Sequence, residues 1–199
     1  MVASVALCVS VRVSIAQSDR CTADEYPRIN GASIYGARPN HPFLFRIPST
    51  GARPMTFSAV GLPTALKLDT KTGIITGTAN IPSSYIVRLR VTNAAGSATR
   101  NLQVVIGDKI ALTPPMGWSS WNYLQTDVSD KDVRAQADAL VSLALADHGY
   151  SYINIDDGWE EQPVGPRHTT NSPRNPDGNL RPNDRFPDLK ALTTVTRMD

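Results

Sequence analysis

YINIDDGW (Tyr152–Trp159) joins a β-rich run directly to two adjacent carboxylates, Asp156 and Asp157. A short strand centred on Met116–Trp118 precedes it, and the segment Ser129–Gly149 between them is predicted to be a helix. Its first residue is a good N-cap, and apolar side chains recur on one helical face. That face comprises Val133, Ala137, Leu140, Val141 and Ala144. Strand, helix and strand within about 40 residues predict a βαβ unit with two parallel strands.

The carboxyl ends of these two strands are where binding chemistry is expected. Polar side chains that act on ligands gather just beyond the carboxyl ends of parallel strands. Trp118 and the pair Asp156 and Asp157 fall there, so we expect the indole and both carboxylates at one shared rim. Taken alone, an Asp pair after a strand more often caps a turn, and a lone tryptophan is more often core. Trp121 and Trp159 are expected to be structural.

The N-terminal half carries a different pattern, the alternation of an all-β sandwich over residues 27–107. Apolar side chains recur at every second position in three runs, which predicts half-buried antiparallel strands. These runs contain Phe43, Phe45 and Ile47; Tyr85, Val87, Leu89 and Val91; and Ala98, Leu102, Val104 and Ile106. Turn signals at Ser49–Gly51, Asp69–Gly73 and Asn93–Gly96 are spaced as in a small sandwich.

Composition limits the classes of protein to consider. The chain has 199 residues, 41% hydrophobic and 19% charged, with a net charge of +2, which is enough apolar content for one or two folded domains. Its scattered basic residues argue against a nucleic-acid partner. No apolar run is long enough for a transmembrane helix. With Cys8 removed as described below, Cys21 has no partner for an intrachain disulfide.

Residues 1–16 are predicted to be a signal peptide. They are small and apolar apart from serines and Arg12, and Ser14 and Ala16 suit a cleavage site before Gln17. The absence of a basic residue before the apolar stretch leaves a mis-assigned start or a buried strand as alternatives. Export, to the periplasm or the extracellular space, is therefore an expectation, with no membrane association after cleavage.

Two resemblances to known families follow from these motifs. The segment Gly61–Pro82, GLPTALKLDTKTGIITGTANIP, resembles the immunoglobulin-like (cadherin-like) modules of exported bacterial proteins. Further blocks, in order and at the right spacing, closely resemble the α-galactosidases of glycoside hydrolase family 27. They are Leu112–Trp118, Ser120–Asn122, Ala137–Ser142, Tyr152–Trp159, Asn175–Leu180 and Phe186–Leu192.

The α-galactosidase resemblance implies a fold and a set of roles. Residues 109–199 would form the first two β/α repeats of a TIM (β/α)8 barrel, truncated at the C-terminus. Trp118 would form an apolar wall against the sugar, and Asp156 and Asp157 would accept hydrogen bonds from the 4- and 6-hydroxyls of a terminal galactose. The nucleophile and the acid/base would be aspartates beyond residue 199, so this chain is expected to be inactive alone.

The expected reaction is hydrolysis, with retention, of terminal α-galactosyl residues from oligosaccharides or polysaccharides, without metal or cofactor. Gly158 and Ser119 stand where many relatives have a disulfide-forming Cys and an Asn, respectively. Two alternatives stay open. One is a sibling glycosidase acting on α-N-acetylgalactosamine or β-L-arabinopyranose. The other is a non-catalytic carbohydrate-binding or adhesion protein whose barrel segment is a relic.

Overall fold

The computed structural model describes residues 25–109, 111–161 and 173–195. The predicted signal peptide and both cysteines lie outside the described residues. Within those described ranges, no helix is long and apolar enough to cross a membrane.

Two antiparallel-rich sheets face each other in the N-terminal half and form a β-sandwich. The strands are β1 (Arg28–Ile29), β2 (Ile34–Ala37), β3 (Pro42–Arg46), β4 (Ser49–Thr50), β5 (Thr56–Val60), β6 (Leu66–Leu68), β7 (Ile74–Thr78), β8 (Ser83–Asn93) and β9 (Gly96–Ile106). One sheet has the order β2-β9-β8-β5 and the other β3-β7-β6, while β1 pairs with β4. Only the β2–β9 pair in these sheets is parallel among the described strands.

Alternate residues of β3, β8 and β9 fill the space between the sheets, which confirms the period-two prediction. Phe43 and Phe45 are buried, whereas Leu44 between them is 41% exposed. The fully buried positions of the two long strands are Val87, Leu89, Val91, Leu102 and Val104. Packing of side chains from both inner faces is the main source of stability in such a sandwich.

The turn between β6 and β7 forms as its residues predicted. The Asp69 carboxylate accepts the backbone N–H groups of Lys71 at 2.8 Å and Thr72 at 3.2 Å, and these bonds lower the pKa of Asp69. Gly73 has φ +74°, and a Cβ there would lie 2.9 Å from the Phe57 ring. Glycine is therefore required both by the backbone conformation and by the packing.

The C-terminal half contains the predicted βαβ unit. Its elements are β10 (Gly117–Ser119), α1 (Trp121–Leu124), α2 (Asp130–Ser142), β11 (Tyr152–Asn154) and α3 (Leu189–Val195), with 3₁₀ turns at Gln125–Asp127 and Leu145–His148. β10 and β11 pair in parallel. A capping box between Ser129 and Asp132 starts α2, as predicted. The small core of this half consists of Val128, Val133, Phe186 and Leu192.

The predicted extent of the main helix is wrong. α2 ends at Ser142, and Ala144 adopts a left-handed conformation with φ +58°, so Gly149 terminates a separate 3₁₀ turn instead. Val133 is buried, but Val141 is 56% exposed and Ala144 is also exposed. After Ser142 the chain turns towards the sandwich, which it contacts at Asp147.

Asp147, in the 3₁₀ turn Leu145–His148, joins the two halves. Arg46 donates to its Oδ1 at 2.6 Å and Arg53 donates to its Oδ2 at 2.9 Å. The Asn30 side-chain amide donates to the Asp147 backbone carbonyl at 2.9 Å. Both carboxylate oxygens thus take charge-assisted hydrogen bonds from the sandwich, and the Asp147 side chain is only 21% exposed.

Close backbone packing at the same junction shows which ends of β10 and β11 meet the sandwich. A Cβ on Gly149 would lie 2.8 Å from the Gly31 Cα atom, so the two glycines touch directly. On β2, a Cβ on Gly36 would lie 3.0 Å from the Leu112 side chain. Leu112 and Gly149 both precede a strand of the parallel pair. The sandwich therefore contacts the amino ends of β10 and β11, opposite to their carboxyl ends.

Asp147→Asn tests whether this junction supports the C-terminal half. We expect a loss of about 1–2 kcal/mol in the free energy of unfolding of that half, because two guanidinium groups lose a charged acceptor. Urea unfolding followed by hydrogen exchange measures the effect at residues 145–153. Asp138→Asn, on an exposed position of α2, is the control. Equal stability of both variants would contradict a supporting role.

Candidate functional site

The pairing register of the parallel strands decides which side chains share a face. Trp118 lies opposite Ile153, and Ser119 lies opposite Asn154. Ile153 packs against the core beneath the helices. Because laterally paired residues point to the same side of a sheet, Trp118 is on the helix-covered face. Asp156 lies two residues beyond the end of β11, in the loop that follows it.

That Trp118, Asp156 and Asp157 meet at one rim stays a prediction, because the register describes only residues within the two strands. Both strands do end at one rim, as expected, but Trp118 lies within β10 rather than beyond it. The spacing of the motifs thus predicted the edge of the sheet at which both strands end.

The two acidic residues lie in the loop that leaves β11, and both are exposed. The buried Ser120 hydroxyl accepts the Asp156 N–H at 2.9 Å and ties the loop to the end of β10. Asp156 Oδ1 accepts the Asp157 N–H at 2.8 Å, and Asp157 Oδ1 accepts the Gly158 N–H at 2.7 Å. Each carboxylate is thus oriented by a hydrogen bond from the next residue's backbone.

Trp121 is the aromatic residue that the structure places at this rim. It is the first residue of α1 and follows Ser120 directly, so it is adjacent to the hydroxyl that binds the Asp156 amide. Its side chain is 41% exposed, although the sequence led us to expect a structural role. The position of Trp121 just after a predicted strand was the sequence signal that could have placed it at this rim. Trp159 packs against the core beneath the helices, as expected.

Gly158 brings the loop after β11 into direct contact with the loop after α1. It has φ +92°, and a Cβ there would lie 2.6 Å from the Thr126 Cα atom. Arg185 donates to the carbonyls of Thr126 and Gly158, and Asn183 also donates to the Gly158 carbonyl at 2.8 Å. No side chain fits at position 158, because the backbone of Thr126 occupies the space. This contact explains why the chain has glycine where many α-galactosidases have cysteine.

Glu160 adds a third carboxyl group behind the exposed pair. Burial raises the pKa of Glu160, and a hydrogen bond from its carboxyl to Asp157 together with the charge of Asp157 raises it further. Glu160 and Asp157 therefore interact directly through their carboxyl groups. The sequence gave no indication of this pairing.

A cleft of about 860 Å³ lies elsewhere, between the sandwich and α2. Arg46, Arg53, Val141 and Tyr152 contribute to its lining, and both arginines are already bound to Asp147. It opens at the amino ends of the strands, away from the acidic pair. No group of three or more His, Cys, Asp or Glu side chains suited to a metal ion occurs in the described ranges. The rim is therefore the better candidate site.

Comparison with known proteins agrees with both halves of the fold. The He_PIG family model, described as "Putative Ig domain", matches residues 27–107. The α-galactosidase of Cyamopsis tetragonoloba is 46% identical over 82 residues, which are 40% of this chain and 18% of that protein. Alpha-galactosidase A of Cellvibrio japonicus is 50% identical over 52 residues, which are 26% of this chain and 13% of that protein.

Two crystal structures from Bacteroides fragilis extend the similarity. One, titled "putative alpha-galactosidase", is 40% identical with a TM-score of 0.74. The other, titled "putative alpha-galactosidase/melibiase", is 38% identical with a TM-score of 0.76. Each alignment covers 87% of this chain and 36% of the solved chain. The chain resembles the α-galactosidases.

The α-galactosidase likeness includes the way the two halves are combined. An alignment over 87% of the chain contains residues of both the Ig-like module and the βαβ unit, because residues 27–107 are less than half of it. The chain spans 36% of the solved α-galactosidase-like structures and less than a fifth of the curated α-galactosidases described above.

Gly158→Ala tests the close backbone contact at the rim. We expect the free energy of unfolding to fall by about 2–4 kcal/mol, since a methyl group adds a clash with Thr126 to the unfavourable positive φ. Gly178→Ala is the matched control, because Gly178 also has a positive φ, +81°, but has open space around its Cβ position. Thermal unfolding of both variants separates the two effects. Similar losses would show that backbone conformation alone explains the glycine.

Proposed function

We propose that this chain supplies the galactose-binding part of an α-galactosidase, which hydrolyses terminal α-D-galactosyl residues. The observation that carries the proposal is the pair Asp156 and Asp157, exposed at the carboxyl end of a parallel strand and oriented by the backbone of their own loop. The names of the similar proteins support the same substrate class. The proposed ligand is a galactose-terminated oligosaccharide or polysaccharide.

The exposed carboxylate oxygens suit sugar hydroxyl groups. A carboxylate accepts charge-assisted hydrogen bonds that are roughly twice as strong as neutral ones. A site built around the axial 4-hydroxyl of galactose discriminates against glucose, because its polar groups lose their partner when the hydroxyl is equatorial. We propose that Asp156 and Asp157 bind the 4- and 6-hydroxyls. The apolar wall is assigned to Trp121, which is at the rim, in preference to Trp118.

Catalysis requires groups that this pair does not provide. Retaining glycosidases use two carboxyl groups about 5–5.5 Å apart on either side of the scissile bond. Asp156 and Asp157 are consecutive and each spends one oxygen on the next backbone N–H. We therefore propose that they bind the sugar and that the nucleophile and acid/base of a retaining mechanism come from later strands of a (β/α)8 barrel, so that the 199-residue chain has no turnover.

The Ig-like module is proposed to support the βαβ unit rather than to bind sugar. It contacts the amino ends of β10 and β11 through Asp147 and Gly149, whereas the acidic pair lies at their carboxyl ends. A ligand at the rim would therefore not reach the sandwich. This arrangement disfavours the alternative in which the module is the working part and the remainder a relic.

Binding of methyl α-D-galactopyranoside to the chain tests the proposal, followed through the indole and backbone amide signals in ¹⁵N NMR spectra. Asp156→Asn, Asp157→Asn and Trp121→Ala are each expected to raise the Kd about 10-fold or more, because each removes a direct sugar contact. Trp118→Ala is the matched aromatic variant, with a smaller expected effect. Methyl α-D-glucopyranoside is expected to bind more weakly.

The outcomes of this titration are distinct. Equal affinity for the two methyl glycosides would contradict the role of the acidic pair in recognising the axial hydroxyl. If both variants fold and Trp118→Ala loses more affinity than Trp121→Ala, Trp118 rather than Trp121 forms the apolar wall. Absence of binding to the wild-type chain would overturn the proposed function.

We also propose that the protein is exported, on the basis of the N-terminal sequence. Cleavage after Ala16 would give a mature chain that begins at Gln17. Intact-mass measurement of protein secreted by a bacterial host is expected to give the mass of residues 17–199. Secreted protein that retains Met1 would contradict cleavage, and Ala16→Arg is expected to block processing.

A further inference from the structure

Arg185 joins the two loops of the rim through their main-chain carbonyls. Its Nη2 atom donates to the Gly158 carbonyl at 2.8 Å and also to the Thr126 carbonyl. Its Nη1 atom lies 3.6 Å from the Asp127 carboxylate. One planar cation thus bridges two carbonyl oxygens whose dipoles repel each other when they converge. Arginine suits this task because its donors form a rigid fork.

The main chain of Arg185 holds its side chain in place. Its N–H donates to Asn183 Oδ1 at 3.0 Å, and its carbonyl accepts the Asp130 N–H at 3.1 Å, next to the start of α2. Asn183 shares the same target, because its amide donates to the Gly158 carbonyl. The Arg185 side chain is 25% exposed, so these bonds are partly shielded from water. Because the Arg185 side chain is already held in place, forming the bridge costs little further conformational entropy.

The loop held at Thr126 is strained. Gln125, just before it, has φ +48° and ψ −128°, a sparsely populated conformation for a residue with a Cβ atom. Among the described residues, Arg185 is the hydrogen-bond donor to the Thr126 carbonyl. The strained loop therefore keeps its contact with Gly158 mainly through this arginine.

We infer that Arg185 is a positioning residue for galactoside binding. The loop that it anchors carries Asp157, whose carboxylate is bonded to the Gly158 N–H, and begins at Asp156. On the other side, the Thr126 loop closes the short segment that starts at Trp121. Arg185 fixes the distance between the acidic pair and the aromatic wall without touching the sugar. This inference rests on the proposed function.

The experiment compares Arg185→Ala, Arg185→Lys and the control Arg88→Ala, which removes an exposed arginine from the sandwich. Hydrogen exchange reports the Gly158 amide and its neighbours, and titration with methyl α-D-galactopyranoside reports affinity. For Arg185→Ala we expect exchange at these amides to rise about 10-fold and the Kd to rise at least as much. Arg185→Lys keeps the charge but not the fork, so partial recovery of both values is expected.

Each outcome of this experiment supports or overturns a stated claim. Unchanged exchange in Arg185→Ala overturns the bridge, and raised exchange with unchanged affinity overturns the positioning role. If the wild-type chain does not bind the galactoside, the proposed function fails, whereas the exchange data still decide the bridge. If Arg185→Ala does not fold, hydrogen exchange near Gly158 and the Kd are compared between Arg185→Lys and Arg88→Ala instead. Equal values in these two variants would overturn the inference.

Discussion

The three-residue parallel pairing of β10 with β11 is the constraint on which the candidate site depends. It aligns the ends of the two strands, so that Ser120 binds the backbone of Asp156 and the following loops meet. A pairing this short has little intrinsic stability, and parallel strands need a crossover to be brought together. Gly117 shows how tight the fit is, because a Cβ there would lie 1.9 Å from the Tyr152 carbonyl oxygen.

Support for this pairing comes from both of its ends. At the amino ends, the sandwich holds the chain through Asp147 and through the contact between Gly31 and Gly149. At the carboxyl ends, Arg185 and Asn183 hold the loops together. The core between consists of a few apolar side chains, so polar and backbone contacts contribute a larger share of the stability here than in the sandwich. Folding of the larger module therefore helps to order the smaller one.

Much of the fold could be predicted from the sequence because its local signals agree with its long-range contacts. Alternation in β8 and β9 predicted the sandwich core, Asp69 predicted a turn, and Ser129 predicted the start of α2. The end of α2 was missed, since apolar residues continue beyond it. Val141 is exposed because it borders the open cleft, which periodicity along one helix does not reveal.

The site was predicted less well than the fold, for a geometric reason. The order of the motifs predicted the edge of the sheet at which β10 and β11 end. The face that each side chain occupies depends on register, because a shift of one residue turns every side chain over. Trp118 and Trp121 are three residues apart, yet one lies in a strand and the other begins a helix. Arg185 and Glu160 were missed altogether, because their partners are backbone carbonyls and a neighbouring carboxylate that only the folded chain brings together.

The glycine at position 158 has a consequence for how the rim is held together. A cysteine at this position would allow a covalent link between rim loops. Glycine instead lets the backbones of Gly158 and Thr126 touch, and their carbonyl groups then lie close together. Such carbonyls need a donor that reaches both, and the guanidinium of Arg185 meets that need. A link made of hydrogen bonds depends neither on oxidation nor on the redox state of the surroundings, unlike a disulfide.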